Sequence, residues 1–265
     1  MGVHRYSVPS PTLVELEVDA RGVGDDAVLL LPSLGRGRGD FDGLVEALTR
    51  EGFRTLALDP RGIGHSDKAT FEHLTLHSLA DDAVAALDAL AIERAHVIGH
   101  AFGNRVARCV QADHPDRVRS LILLAAGGKV PPVEEAVDAF RRFVSTPLAP
   151  DAFLSEVAQA NFSPAGDPSA WADGWWLETA RGQATAAGRA SLEDWWLPRG
   201  EVQVLIVQGL DDRMAPPENG RSLRDSLGAR ARLVEVERAG HALLPEQPAK
   251  VEAAVLAFLH GQRPS

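Results

Sequence analysis

Gly99-His100-Ala101-Phe102-Gly103 decides the fold through what stands on either side of it. Residues 95–98 are a short apolar run of strand character, and in residues 104–113 Val106, Ala107, Cys109 and Val110 recur at helical spacing. A strand that enters a helix through a turn bounded by two glycines makes a crowded joint where small residues are required. Such a joint carries whatever occupies position 101 to the end of a parallel sheet, and here that residue is alanine.

Working outward, short apolar runs alternate with longer amphipathic ones. Strands are expected at residues 13–18, 27–31, 55–58, 95–98 and 120–125, then again at 202–208 and 232–236. Helices are expected at residues 41–51, 76–90, 104–113 and 248–260, with Thr75 or Ser78 capping the second. This alternation predicts an α/β fold: a mostly parallel central sheet flanked by helices. Residues 127–200 break the rhythm, being helical in pattern with no convincing strand, and hold all five tryptophans. The expected organisation is therefore a core at 1–126 and 201–265 with a helical lid inserted at 127–200.

Composition narrows the function classes. A chain of 265 residues, 45% hydrophobic, buries a large core, and a net charge of -10 argues against nucleic acid and anionic membrane surfaces as partners. The single cysteine, Cys109, excludes internal disulfides and thiolate metal sites, and reads as a small apolar helix residue. Residues 1–10 contain neither an apolar signal segment nor a span, so a cytoplasmic location is expected. The expected partner is a small molecule, and homo-oligomerisation stays open.

Two further loops carry chemistry. Gly209-Leu210-Asp211-Asp212 follows the run at 202–208, and Ala239-Gly240-His241 follows the last strand. Both stand where loops leave the carboxyl ends of strands, the edge at which open α/β sheets bind ligands. With Asp59-Pro60-Arg61-Gly62-Ile63-Gly64-His65-Ser66 added, the chain resembles the α/β-hydrolase fold superfamily of the lidded serine-hydrolase type. That superfamily has a G-x-S-x-G elbow, a D-x-R-G-x-G-x-S turn, and the chain order nucleophile, acid, histidine.

The resemblance implies roles residue by residue. Position 101 would be the nucleophile, here Ala101, with Asp212 orienting His241, which moves the proton. The family's acid stands three residues after the glycine, which selects Asp212, and Asp211 reads as a turn or capping residue. The oxyanion hole would combine the N–H of Phe102 with one from Pro32-Ser33-Leu34-Gly35, by position that of Leu34, with Ser33 and Gly35 as alternatives. This loop departs from the family's usual His-Gly. Arg36 at the mouth would pair with an anionic substrate or balance an acidic surface. Trp171, Trp175 and Trp176 would favour a bulky apolar substrate, or form the insertion's own core. No metal or organic cofactor is implied.

The implied activity is hydrolysis of an ester, lactone or related carbonyl, with esterase, lactonase and carbon–carbon hydrolase types within reach. With Ala101 this triad would be inactive or strongly impaired, either as a variant inactivated for ligand trapping or as a natural loss. The alternatives are a naturally serine-free His/Asp general-base hydrolase or lyase, and a non-catalytic ligand-binding protein. Epoxide hydrolase and dehalogenase chemistry need a carboxylate at position 101.

Overall fold

The computed structural model describes residues 4–9, 14–68 and 70–262. In chain order the elements are β1 (His4–Pro9), β2 (Glu15–Arg21), β3 (Ala27–Leu31), α1 (Asp42–Arg50), β4 (Arg54–Leu58), α2 (Leu76–Ala89), β5 (Ala95–His100), α3 (Phe102–Asp113) and β6 (Val118–Leu124). There follow α4 (Glu134–Ser145), α5 (Pro150–Asn161), α6 (Leu177–Arg189), α7 (Leu192–Trp195), β7 (Gln203–Gly209), α8 (Pro217–Leu227), β8 (Ala231–Val236), α9 (Leu243–Glu246) and α10 (Pro248–His260). The strands form one sheet in the order β1-β2-β4-β3-β5-β6-β7-β8, mostly parallel and flanked by helices. Its antiparallel end is β1 on β2 and β2 on β4.

The expected strands are present with ends shifted by a few residues, and Leu13, which opened the first, lies outside the described residues. β1 and α8 escape the sequence reading. β1, His-Arg-Tyr-Ser-Val-Pro, contains no apolar run and ends on a proline. α8 opens on Pro216-Pro217, whose fixed φ starts a helix without a strong apolar stripe to announce it. Residues 127–200 hold α4 to α7 and, among the described residues, no strand.

The chain divides into two compact units. The first comprises residues up to 121 with 175–203. Its centre is β3, buried at every residue and paired in parallel with β4 and β5, so that Leu29 faces Leu56 on one side and Val97 on the other. An unbroken Ala-Val-Leu-Leu-Leu run suits a strand covered on both faces. α2 is started by a capping box in which Thr75 accepts from the Ser78 amide and Ser78 accepts from the Thr75 amide. α6 is tied in by Thr179, whose hydroxyl donates to the Gly62 carbonyl at 2.7 Å. Within the turn at 59–66, buried Arg61 forks onto buried Asp82, and Arg38 pairs with Asp59 and Glu17. Burial pushes the Asp59 carboxyl up, against the pull of Arg38.

The second unit comprises residues 122–174 with 204–265. β7 and β8 pair in parallel from Val204↔Ala231 to Gly209↔Val236. Past the end of β6 the chain stays attached to β7: the Ala125 amide donates to the Val207 carbonyl at 3.0 Å, and the Ala126 amide to Gln208 Oε1 at 3.0 Å. Asn219 on α8 holds the next loop at both ends of one residue, accepting from the Val130 N–H and donating to its carbonyl. Among the described residues, no helix is long and apolar enough to cross a membrane.

Candidate active site

The turn between β5 and α3 is strained at one residue. Ala101 has φ 51° and ψ -107°, a left-handed conformation that costs an L-residue about 1–3 kcal/mol and survives only where the surroundings impose it. Its neighbours show what imposes it. A Cβ on Gly99 would lie 2.5 Å from the backbone N and Cα of Asn104, and one on Gly103 would strike the carbonyls of Leu31 and Pro32. The strand, the helix and the loop after β3 thus meet backbone to backbone, and the chain can pass between them only by the sharp excursion at Ala101.

The loop after β3 lies in the same unit and against the same helix. The Gly35 N–H donates to the side-chain oxygen of Gln183 at 2.8 Å, and its carbonyl accepts from the Trp176 amide at 2.9 Å. Gly35 is thereby occupied on both sides and drops out as a candidate oxyanion donor. Phe102 is the first residue of α3, where helix amides lack partners within the helix. Arg36 is buried and forks onto Asp40 at 2.6 and 3.0 Å, with its guanidinium 4.9 Å above the Trp175 ring. Its charge is therefore answered within the fold. Trp175 and Trp176 are half-buried in this unit, whereas Trp171 is buried in the other unit, edge-on to Phe162.

Farther along α3, Arg108 is almost fully buried, donates to the carbonyls of Asn104 and Trp196, and sits 4.7 Å over the Trp195 ring. Burial depresses its guanidinium below its ordinary range. Cys109 beside it is pushed up to about 12, first by burial and then by the charges of Asp113 and Asp194. It is thus a protonated core residue.

The second unit holds the acid and the histidine together. His241 Nδ1 stands 3.0 and 3.1 Å from the two carboxylate oxygens of Asp212. The Asp212 side chain has no exposed surface, that of His241 is 12% exposed. Three further donors face the carboxylate: the amides of Met214 at 3.0 Å and Ala215 at 2.7 Å, and Gln208 Nε2 at 3.3 Å. A buried carboxylate is costly unless its oxygens are bonded in this way. Gly209 permits the approach, since a Cβ there would come within 2.6 Å of the Gly240 carbonyl. In an imidazole held at Nδ1 by a carboxylate, Nε2 is the ring nitrogen that takes a proton.

Sequence reasoning missed Gln208, Gln183 and Glu246. Gln208 left one trace, a polar residue closing the apolar run at 204–207. Gln183 and Glu246 bond to backbone distant in sequence, which no local pattern announces. Among the described residues, no cluster of His, Cys, Asp and Glu is arranged to hold a metal ion.

Fold and site together define a class. The chain belongs to the alpha/beta hydrolase fold family, whose family model matches residues 26–248. It is 30% identical to a non-heme chloroperoxidase of Streptomyces lividans over 83% of this chain and 86% of that one. It is 29% identical to the rhodomycin D methylesterase DauP of Streptomyces sp. (strain C5), over 86% and 90% of the two chains. Among solved structures, a thermophilic esterase from Thermogutta terrifontis superposes with a TM-score of 0.83 at 22% identity, covering 98% of this chain and all of that one.

Proposed function

We propose that this protein hydrolyses an ester or lactone carbonyl with His241 as a general base acting on water, and forms no covalent enzyme intermediate because position 101 carries no oxygen. The observation that carries this reading is the completeness of the Asp212–His241 pair. Asp212 accepts three hydrogen bonds besides facing His241, so its buried oxygens are all provided with donors. The chain keeps the family's order of elbow, acid and histidine, which supports the reading.

In this mechanism His241 Nε2 takes a proton from water as the water oxygen attacks the carbonyl carbon. The resulting oxyanion is held by the N–H groups of Phe102 and Leu34. Collapse breaks the bond to the leaving oxygen, which takes the proton back from the imidazolium while Asp212 stabilises the charge. General-base assistance of this kind contributes about 10²–10⁴ in rate. A triad stripped of its serine loses on the order of a million-fold and keeps about a thousand-fold over water. The reading therefore favours reactive esters and lactones. Of the tryptophans in residues 127–200, read as a lid, Trp171, Trp195 and Trp196 are buried, and the half-buried Trp175 and Trp176 would select bulky apolar acyl or alcohol groups.

A fluorophosphonate probe tests whether the surrounding machinery is intact. The chain as it stands is expected to stay unlabelled, and Ala101→Ser to gain one phosphonyl adduct by intact mass. An unlabelled serine variant that binds esters saturably without turnover would instead make the protein a ligand-binding protein.

A further inference from the structure

We propose that Glu246 is a positioning residue for His241, holding the loop that carries the base against residues 161–163. The inference rests on the reading of His241 as the base. One oxygen of Glu246 accepts from the Gly240 amide at 2.7 Å, directly before His241, and the other accepts from the Ser163 amide at 2.9 Å. On the far side of His241, the Ala242 amide donates to the Asn161 carbonyl at 2.8 Å. The backbone is therefore fixed on both flanks of the histidine to one short stretch at the end of α5, on one side directly and on the other through a single carboxylate.

The local sequence is shaped to this contact. A Cβ on Gly240 would lie 2.7 Å from the Asn161 carbonyl oxygen and 2.8 Å from the Ser163 nitrogen, and one on Gly166 would collide with Glu246 Oε1. Gly240 and Ser163 are both buried, so neither amide has water to fall back on when the carboxylate is removed. Only an ionised carboxylate satisfies both with acceptors alone. A glutamine keeps one acceptor and turns an NH₂ toward the other N–H. Glu246 also lines a cleft of about 410 Å³ with Arg238, Asp167 and Gln247, which accounts for its being partly solvent-exposed. Its neighbour Gln247 also braces this loop, its side chain donating to the Arg238 carbonyl at 2.9 Å, so the matched control is Ser226, whose hydroxyl donates to the Ser222 carbonyl at 2.8 Å within α8.

The test uses the whole protein and two readouts. The first is the low-field proton NMR resonance of His241 Nδ1–H shared with Asp212, with the titration of the ring, measured without any substrate. The second is kcat and KM for an aryl ester in the Ala101→Ser form. Glu246→Ala is expected to broaden or abolish the low-field resonance and displace the ring titration, and to lower kcat at least tenfold with KM within about twofold. Glu246→Gln, which keeps one of the two bonds and the side-chain volume, should fall between. Ser226→Ala should leave both readouts unchanged.

If Glu246→Ala and Glu246→Gln lower the melting temperature but leave the resonance and ring titration as in the parent, Glu246 is only structural and the proposal is overturned. If the resonance is lost while every form lacks esterase activity, the positioning role stands and the hydrolase reading fails.

Discussion

Gly99→Ala puts the account of the elbow at risk most cheaply. The added methyl carbon would sit 2.5 Å from two backbone atoms of Asn104, about an ångström inside normal contact, and neither atom belongs to a side chain that can swing away. Overpacking costs about 1–3 kcal/mol when neighbours can adjust, and here they are the first turn of α3, so the upper end, about 3 kcal/mol, is expected. For a domain of this size that corresponds to roughly 6–12 °C in melting temperature. Gly188→Ala is the matched control: it lies exposed in α6 with nothing within 4 Å of the added carbon, and should stabilise by up to about 1 kcal/mol. Urea unfolding of both variants at pH 7 reads the contrast. A Gly99→Ala protein within about 1 kcal/mol of the parent would mean that the turn is looser than described, and the strain at Ala101 would lose its cause.

Two further outcomes follow from burial. Asp212→Leu strands the Met214 and Ala215 amides and the Gln208 side chain without their acceptor, and at about 1–3 kcal/mol for each unmade bond it should cost 3 kcal/mol or more in urea unfolding. Cys109 should resist a disulfide reagent at pH 8 until the protein is unfolded, because burial pushes its thiol up to about 12. The folded state keeps a proton that the unfolded thiol releases near its ordinary value of 9.0, so this residue's contribution to stability is present below pH 9 and lost as pH rises from there toward 12. A Cys109→Ser variant with the same alkaline loss would contradict that assignment.

Much of the fold was legible because period and spacing are local. The run at 27–31 is apolar without interruption and became the fully buried β3, and the stripe of Val106, Ala107 and Val110 became the inner face of α3. The strain at Ala101 was also readable, since two glycines four apart between a strand and a helix leave few ways to turn. What could not be read depends on partners far along the chain. Arg36 offered itself as an anion binder until Asp40 and Trp175 were seen to engage it. Gly35 was an open alternative as oxyanion donor until Gln183, 148 positions away, took its amide. Trp171, alike in sequence to Trp175, sits in the other unit against Phe162, because helix periodicity does not say which neighbour a large side chain meets.

The central claim is that His241 works as a base without an enzyme nucleophile. The most direct measurement is steady-state hydrolysis of aryl esters and strained lactones by the unmodified chain and by His241→Ala, at pH 7.5 with equal protein. The account predicts measurable turnover in the former and a loss of about 10²–10⁴ in the latter, with no burst of released alcohol in either. Turnover that survives His241→Ala, or its absence from both while Ala101→Ser is fully active, would contradict it.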